Sequence, residues 1–159
     1  MQVYLVQHGE ATPEAEDPAR PLTERGREEV RRVARNAAAL GIQVAEIRHS
    51  EKLRARQTAE IFAAALSPSH GVREMEGLAP ADHPLKAKAE VESARDPLML
   101  VGHLPHLSRL ASLLLLGDLR QEIIRFRNGA IVCLVKNEGG WLVQWILTPE
   151  MAGDSMATG

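Results

Sequence analysis

Apolar residues fall along this chain in short unbroken runs, separated by longer segments in which they recur at helical spacing. The first run, Val3-Tyr4-Leu5-Val6, lacks the alternation of a half-exposed strand and predicts one covered on both faces. It ends on Gln7-His8-Gly9-Glu10. The next stretch, residues 11–26, is rich in Pro, Glu and Thr and predicts a loop, with Thr23 as the N-cap of the first helix. Val30, Val33, Ala34, Ala37 and Leu40 then recur on one helical face, and Gly41 is placed as the C-cap.

The same alternation continues. Residues 44–48 predict a short strand running into His49-Ser50. A helix over 53–66 comes next, with Ala55, Ala59, Phe62 and Leu66 inward and Ser50 as its cap. A weak strand at 72–75 leads into about twenty polar, Pro-containing residues that predict an irregular connection. Residues 98–103, LMLVGH, then repeat the opening pattern of an apolar run that delivers a histidine. Pro105 is placed at the first position of the next helix, striped by Leu107, Leu110, Ala111 and Leu114. Residues 130–136 and 141–147 predict a hairpin, and residues 149–159 a frayed tail. One domain over residues 1–148 is expected, a three-layer α/β/α arrangement with a mostly parallel sheet and a C-terminal antiparallel hairpin. In such sheets ligands sit beyond the carboxyl ends of strands, which places His8 and His103 at one edge.

Composition narrows the function classes. A chain of 159 residues with 45% apolar and 25% charged residues is large enough for a core of its own. Its net charge of −2 argues against a broad nucleic-acid surface. The single cysteine, Cys133, excludes an internal disulfide, fits a reducing compartment such as the cytoplasm, and reads as a core thiol. No apolar run reaches the ~18 residues of a membrane span, and no cofactor or metal site is expected from the spacing of His, Cys, Asp and Glu.

Two strand-end histidines and an arginine early in a helix form a constellation. In 50-SEKLRARQTAE-60, Arg54 falls on the first turns of its helix, beside free backbone N–H groups. A helix N-terminus with a guanidinium suits a phosphoryl group. A neutral imidazole aimed at that group is a competent nucleophile, and a second imidazole can hold its oxygens. His49, His70, His83 and His106 share no ligand spacing and read as structural or surface residues.

The blocks QHGEA, RPLTERG, SEKLRARQTAEIF and VGHLPHLSRLASLL resemble, in order and spacing, the motifs of the histidine phosphatase (phosphoglycerate mutase-like) superfamily. The short length and the RPLTERG block look most like its SixA-type phosphohistidine phosphatases. The resemblance implies the phosphoglycerate mutase-like fold, a phosphohistidine intermediate on His8, phosphate contacts from Arg54 and His103, and Arg20 near the pocket rim. It implies a phosphorylated protein, bearing phosphohistidine, as substrate.

Two positions depart from the pattern: Gln7 stands where the family has arginine, and Glu51 where proline is common. Gln7 still offers an amide N–H but no charge. Charged hydrogen bonds contribute about 1.5–3 kcal/mol against about 1 for neutral ones, so Gln7 is expected to slow turnover rather than abolish it. Arg20 is a candidate to restore the charge. Glu76 and Asp82 fall where the family's general acid lies, and both also read as surface acids. The short connection after residue 75 predicts an open, shallow site that admits a side chain on a protein surface. A small-molecule phosphomonoesterase, or a phosphoryl-binding module weakened by Gln7, are the rival readings.

Overall fold

A computed structural model describes residues 1–153. Its elements are β1 (Gln2–Gln7), α1 (Glu24–Ala39), β2 (Glu46–His49), α2 (Leu53–Leu66), β3 (Val72–Glu74), α3 (Leu85–Ser93), β4 (Leu98–Gly102), α4 (His106–Leu116), β5 (Ile131–Asn137) and β6 (Gly140–Leu147). Six strands form one sheet in the order β3-β2-β4-β1-β5-β6. The first four are parallel, and β5 and β6 run antiparallel at one side. This is the expected three-layer fold.

The unbroken apolar runs are explained by burial on both faces. Val3 and Leu5 of β1, with Leu98 and Leu100 of β4, face the side where Val91 of α3 and Leu107 and Leu110 of α4 pack. Tyr4 and Val6, with Met99 and Val101, face Val30 and Val33 of α1 and Phe62 of α2. The strand period of two thus splits each run between two cores. Helices α1 and α2 cover one face and α3 and α4 the other.

That division positions the site. β1 and β4 are parallel neighbours in register, Gln7 opposite Gly102. The chain leaves β1 toward α1 and leaves β4 toward α4, on opposite faces. In such sheets that reversal at the strands' carboxyl ends is where ligands are held. β2 lies on the other side of β4, so the segments following β2, β4 and β1 stand side by side. Backbone bonds carry this alignment past the strand ends: His8 N–H donates to the Gly102 carbonyl at 3.0 Å, and Ser50 N–H to the Val101 carbonyl at 3.2 Å.

Several local expectations shift. The connection after β3 contains α3, which buries only Ala87 and Val91 and so left no strong apolar stripe. Ser50 does not cap α2; Lys52 occupies the N-cap position without a side-chain hydrogen bond, and the Ser50 hydroxyl meets Lys52 N–H and His103 Nε2. Leu40 is the C-cap of α1 and Gly41 comes after it in the left-handed region at φ 76°, while Pro105 precedes α4 as its N-cap. Residues 149–153, expected to fray, dock against α1. Ala152 is buried, and Arg32 donates to the Pro149 carbonyl at 3.0 Å. The remainder of the predicted tail lies outside the described residues.

Thr23 caps α1 as expected, its hydroxyl accepting from Gly26 N–H at 2.9 Å. The loop from His8 crosses the helix directly above Gly26, and a β-carbon there would collide with the Glu10 carbonyl. Gly26→Ala is expected to destabilise the fold by about 1–3 kcal/mol, the cost of overpacking, read as a lower urea midpoint at unchanged slope.

Candidate functional site

His8 leaves the end of β1 with its ring buried and its Nδ1 2.7 Å from the Gly9 carbonyl. A carbonyl only accepts, so Nδ1 carries the proton and Nε2 presents a lone pair. Burial, reinforced by the positive charges of Arg54 and Arg20, pushes the His8 pKa down to about 4. The ring is therefore neutral near pH 7.

Three further contacts hold this turn. The Thr58 hydroxyl accepts from Gly9 N–H at 3.0 Å and donates to the Arg54 carbonyl at 2.8 Å. Asn128 donates through Nδ2 to the His8 carbonyl at 2.9 Å, and Gly129 N–H donates to the Gln7 carbonyl at 2.8 Å. Gln57 accepts from Leu22 N–H at 2.8 Å, fastening the loop that carries Arg20 to α2. In the LRARQTAE block, one helical turn thus supplies Arg54 to the site while Gln57 and Thr58 clamp the loop opposite. The supporting residues were not singled out from the sequence: Thr58 lies within a quoted motif, and the Asn128-Gly129 dipeptide was the local signal available for Asn128.

His103 comes directly after β4, almost wholly buried, its ring centroid 5.0 Å from that of His8 and tilted by 55°. Its Nε2 lies 2.6 Å from the Ser50 hydroxyl, and its Nδ1 is buried without a partner. Burial, then the charges of His8, Arg54 and Lys52, lowers its pKa to about 3.

Arg54 sits in the first turn of α2, and its buried Nε has no hydrogen-bond partner. Burial and then the neighbouring charge of Arg20 lower its pKa, while the Glu51 carboxylate opposes the shift. Arg20 holds a left-handed backbone, φ 49°, and its Nε donates to the Thr12 carbonyl at 3.1 Å. Its charge is felt by both His8 and Arg54, so the structure brings Arg20 to the site along with them. Among the described residues, neither Arg20 nor Arg54 has a carboxylate in ion-pair contact. Two guanidiniums without an ion-pair partner beside two neutral imidazoles suit an anionic ligand. Gln7 ends β1 with its Oε1 buried and unpartnered.

The two candidate acids each have a local partner. Glu76 is highly exposed and pairs with Lys86 at 3.2 Å. Asp82 accepts from Ala79 N–H at 3.0 Å. With Glu51, whose charge acts on Arg54, they line a surface depression of about 460 Å³. His49 and His106 are buried, and His70 and His83 are exposed. Cys133 is a buried core thiol. Among the described residues, no group of three or more His, Cys, Asp or Glu is placed to hold a metal ion, and no helix is long and apolar enough to cross a membrane.

Residues 3–83 match the histidine phosphatase superfamily, branch 1. An uncharacterized protein of Picosynechococcus sp. is 39% identical over 145 residues, covering 82% of this chain and 87% of the relative. Among solved structures, the protein histidine phosphatase SixA complexed with tungstate superposes with a TM-score of 0.81 at 26% identity, over 94% of this chain and 97% of that one. The alpha-ribazole phosphatase of Shigella flexneri shares the fold, with a TM-score of 0.77 at 15% identity over 94% and 97% of the two chains. The chain belongs to the histidine phosphatase superfamily.

Both site histidines have folded-state pKa values below their unfolded value of about 6.5. The unfolded chain therefore binds more protons in the window from about 6.5 down to about 4 for His8 and about 3 for His103. Stability is expected to rise with pH across that window and to fall on acidification, by up to about 1.4 kcal/mol per pH unit for each histidine. Urea unfolding of wild type and His103→Gln between pH 4 and pH 7 checks this, the variant showing the shallower dependence.

Proposed function

We propose that this protein is a phosphohistidine phosphatase acting on a phosphorylated protein, with His8 as the covalent nucleophile. The observation that carries the reading is the fixed tautomer of His8: Nδ1–H is committed to the Gly9 carbonyl, which leaves the Nε2 lone pair for phosphorus. In the first step, His8 Nε2 forms a bond to phosphorus as the P–N bond of the substrate breaks. The substrate imidazole leaves with that electron pair, neutral when its other ring nitrogen carries a proton. Arg54, Arg20, His103 and the Gln7 amide hold the phosphoryl oxygens. In the second step, water attacks phosphorus, the phospho-His8 bond breaks, and inorganic phosphate departs.

Leaving-group chemistry supports this substrate class. Alkyl phosphates expel a poor alkoxide that needs a proton from an acid. In the free protein Glu76 is engaged by Lys86 and Asp82 by a backbone amide. An imidazole leaving group makes the smaller demand. Likeness to the SixA structure points the same way.

Mixing the enzyme with a labelled phosphohistidine peptide is expected to give a burst and an acid-labile, alkali-stable label on wild type, absent from His8→Ala. Peptide binding without label or turnover would instead favour a phosphoryl-binding module. Rapid turnover of sugar or nucleotide phosphates with a steep acid limb would favour a small-molecule phosphomonoesterase.

Gln7 and Arg20 make a separate prediction. Gln7→Arg is expected to raise kcat roughly five- to thirtyfold, the effect of about 1–2 kcal/mol at the transition state. Arg20→Ala is expected to lower turnover and phosphate affinity in wild type, and to cost less in the Gln7→Arg background. Unchanged kinetics in Arg20→Ala would remove Arg20 from the site's chemistry.

A further inference from the structure

Ser50 is fully buried at the end of β2, and its hydroxyl has two neighbours. Lys52 N–H donates to its oxygen at 3.3 Å, and His103 Nε2 lies 2.6 Å away. A backbone N–H can only donate, so the first contact uses a serine lone pair. The hydroxyl proton then needs an acceptor, and among the described residues the sole candidate within reach is His103 Nε2.

We infer that Ser50 is a positioning residue that fixes the tautomer of His103, so that its Nδ1–H, rather than a lone pair, is offered to the phosphoryl group. The opposite tautomer would donate from Nε2 to Ser50. It would leave the serine proton buried without an acceptor and the Nδ1 lone pair buried without a donor. It would also turn a lone pair toward an anion. The tautomer with Nδ1–H leaves a single unsatisfied group in the free protein, the Nδ1–H itself, and this is the donor the assignment offers to a phosphoryl oxygen. The chain of donors therefore runs in one direction: Lys52 N–H to Ser50, Ser50 to His103, His103 to substrate. Bonds aligned this way polarise one another.

This adds a role to the QHGEA and GHLPH histidines that is supplied from a third strand. β4 lies between β1 and β2, so His103 is flanked by His8 on one side and by Ser50 on the other. The consequence for phosphoryl transfer rests on the reading of His8 as nucleophile, whereas the tautomer itself is a property of the free protein.

Long-range nitrogen–proton NMR on the full-length protein with ¹⁵N-labelled histidine reads the tautomer directly near pH 7, with His103→Gln used to assign the resonance. The expected result is a protonated Nδ1 and unprotonated Nε2 at His103. In Ser50→Ala the signal is expected to shift toward the Nε2–H form. With phosphohistidine peptide, kcat should then fall roughly ten- to hundredfold at little change in KM, as when other orienting partners of a histidine are removed. Ser50→Thr, which keeps the hydroxyl, is expected to restore the Nδ1–H tautomer. An Nε2–H tautomer in wild type, or a Ser50→Ala variant with wild-type tautomer and wild-type kcat, would overturn the assignment. Failure of the phosphatase reading looks different: no label on His8 in wild type, with the His103 tautomer unaffected.

Discussion

The parallel pairing of β1 with β4, and the departure of their following helices to opposite faces, is the constraint on which the site depends. Register sets Gln7 against Gly102, so the next residues, His8 and His103, are brought side by side. No long side chain has to reach across the molecule. Their rings meet at a centroid separation of 5.0 Å because the sheet places their backbones there. The apolar runs of β1 and β4, buried on both faces, make this pairing costly to disturb.

Electrostatics then determine what the juxtaposition can do. Two imidazoles this close could not both be charged in a buried pocket already holding Arg54 and Arg20. Burial keeps both rings neutral at physiological pH, reinforced by Arg54 at both and by Arg20 at His8. Neutrality is what a nucleophilic nitrogen and a neutral hydrogen-bond donor each require. The two guanidiniums supply charge, while the Gly9 carbonyl engages Nδ1 of His8 and the Ser50 hydroxyl engages Nε2 of His103. Charge state and proton placement are thus set by different parts of the fold.

Gln7 brings no charge to the end of β1, and the neighbouring loop and helix bring two arginines to the same region. The loop bearing Arg20 is fastened to α2 through Gln57, beside the arginine that α2 itself contributes. A cation is therefore present near His8 although β1 no longer provides one. The backbone of Arg20 bears a conformational cost for this placement, since a positive φ is unfavourable for a residue with a β-carbon.

By itself the sequence determined the layer architecture, because unbroken apolar runs alternating with helical stripes leave few ways to bury both faces of a sheet. It also marked His8, Arg54 and His103, since each stands at a strand end or helix start with its own local signal. The helix over 85–93 was not legible, because two buried residues make too weak a period. Only the tertiary structure decided that Ser50 turns away from α2 to meet His103, that Asn128 and Thr58 hold the turn at His8, and that Arg20 reaches the two site residues. It likewise gave Glu76 and Asp82 local partners in Lys86 and the Ala79 amide. Hydrophobic periodicity reports which face of an element is buried. The partner of a polar side chain depends on which segments the sheet order makes neighbours, and that information is shared among residues distant along the chain.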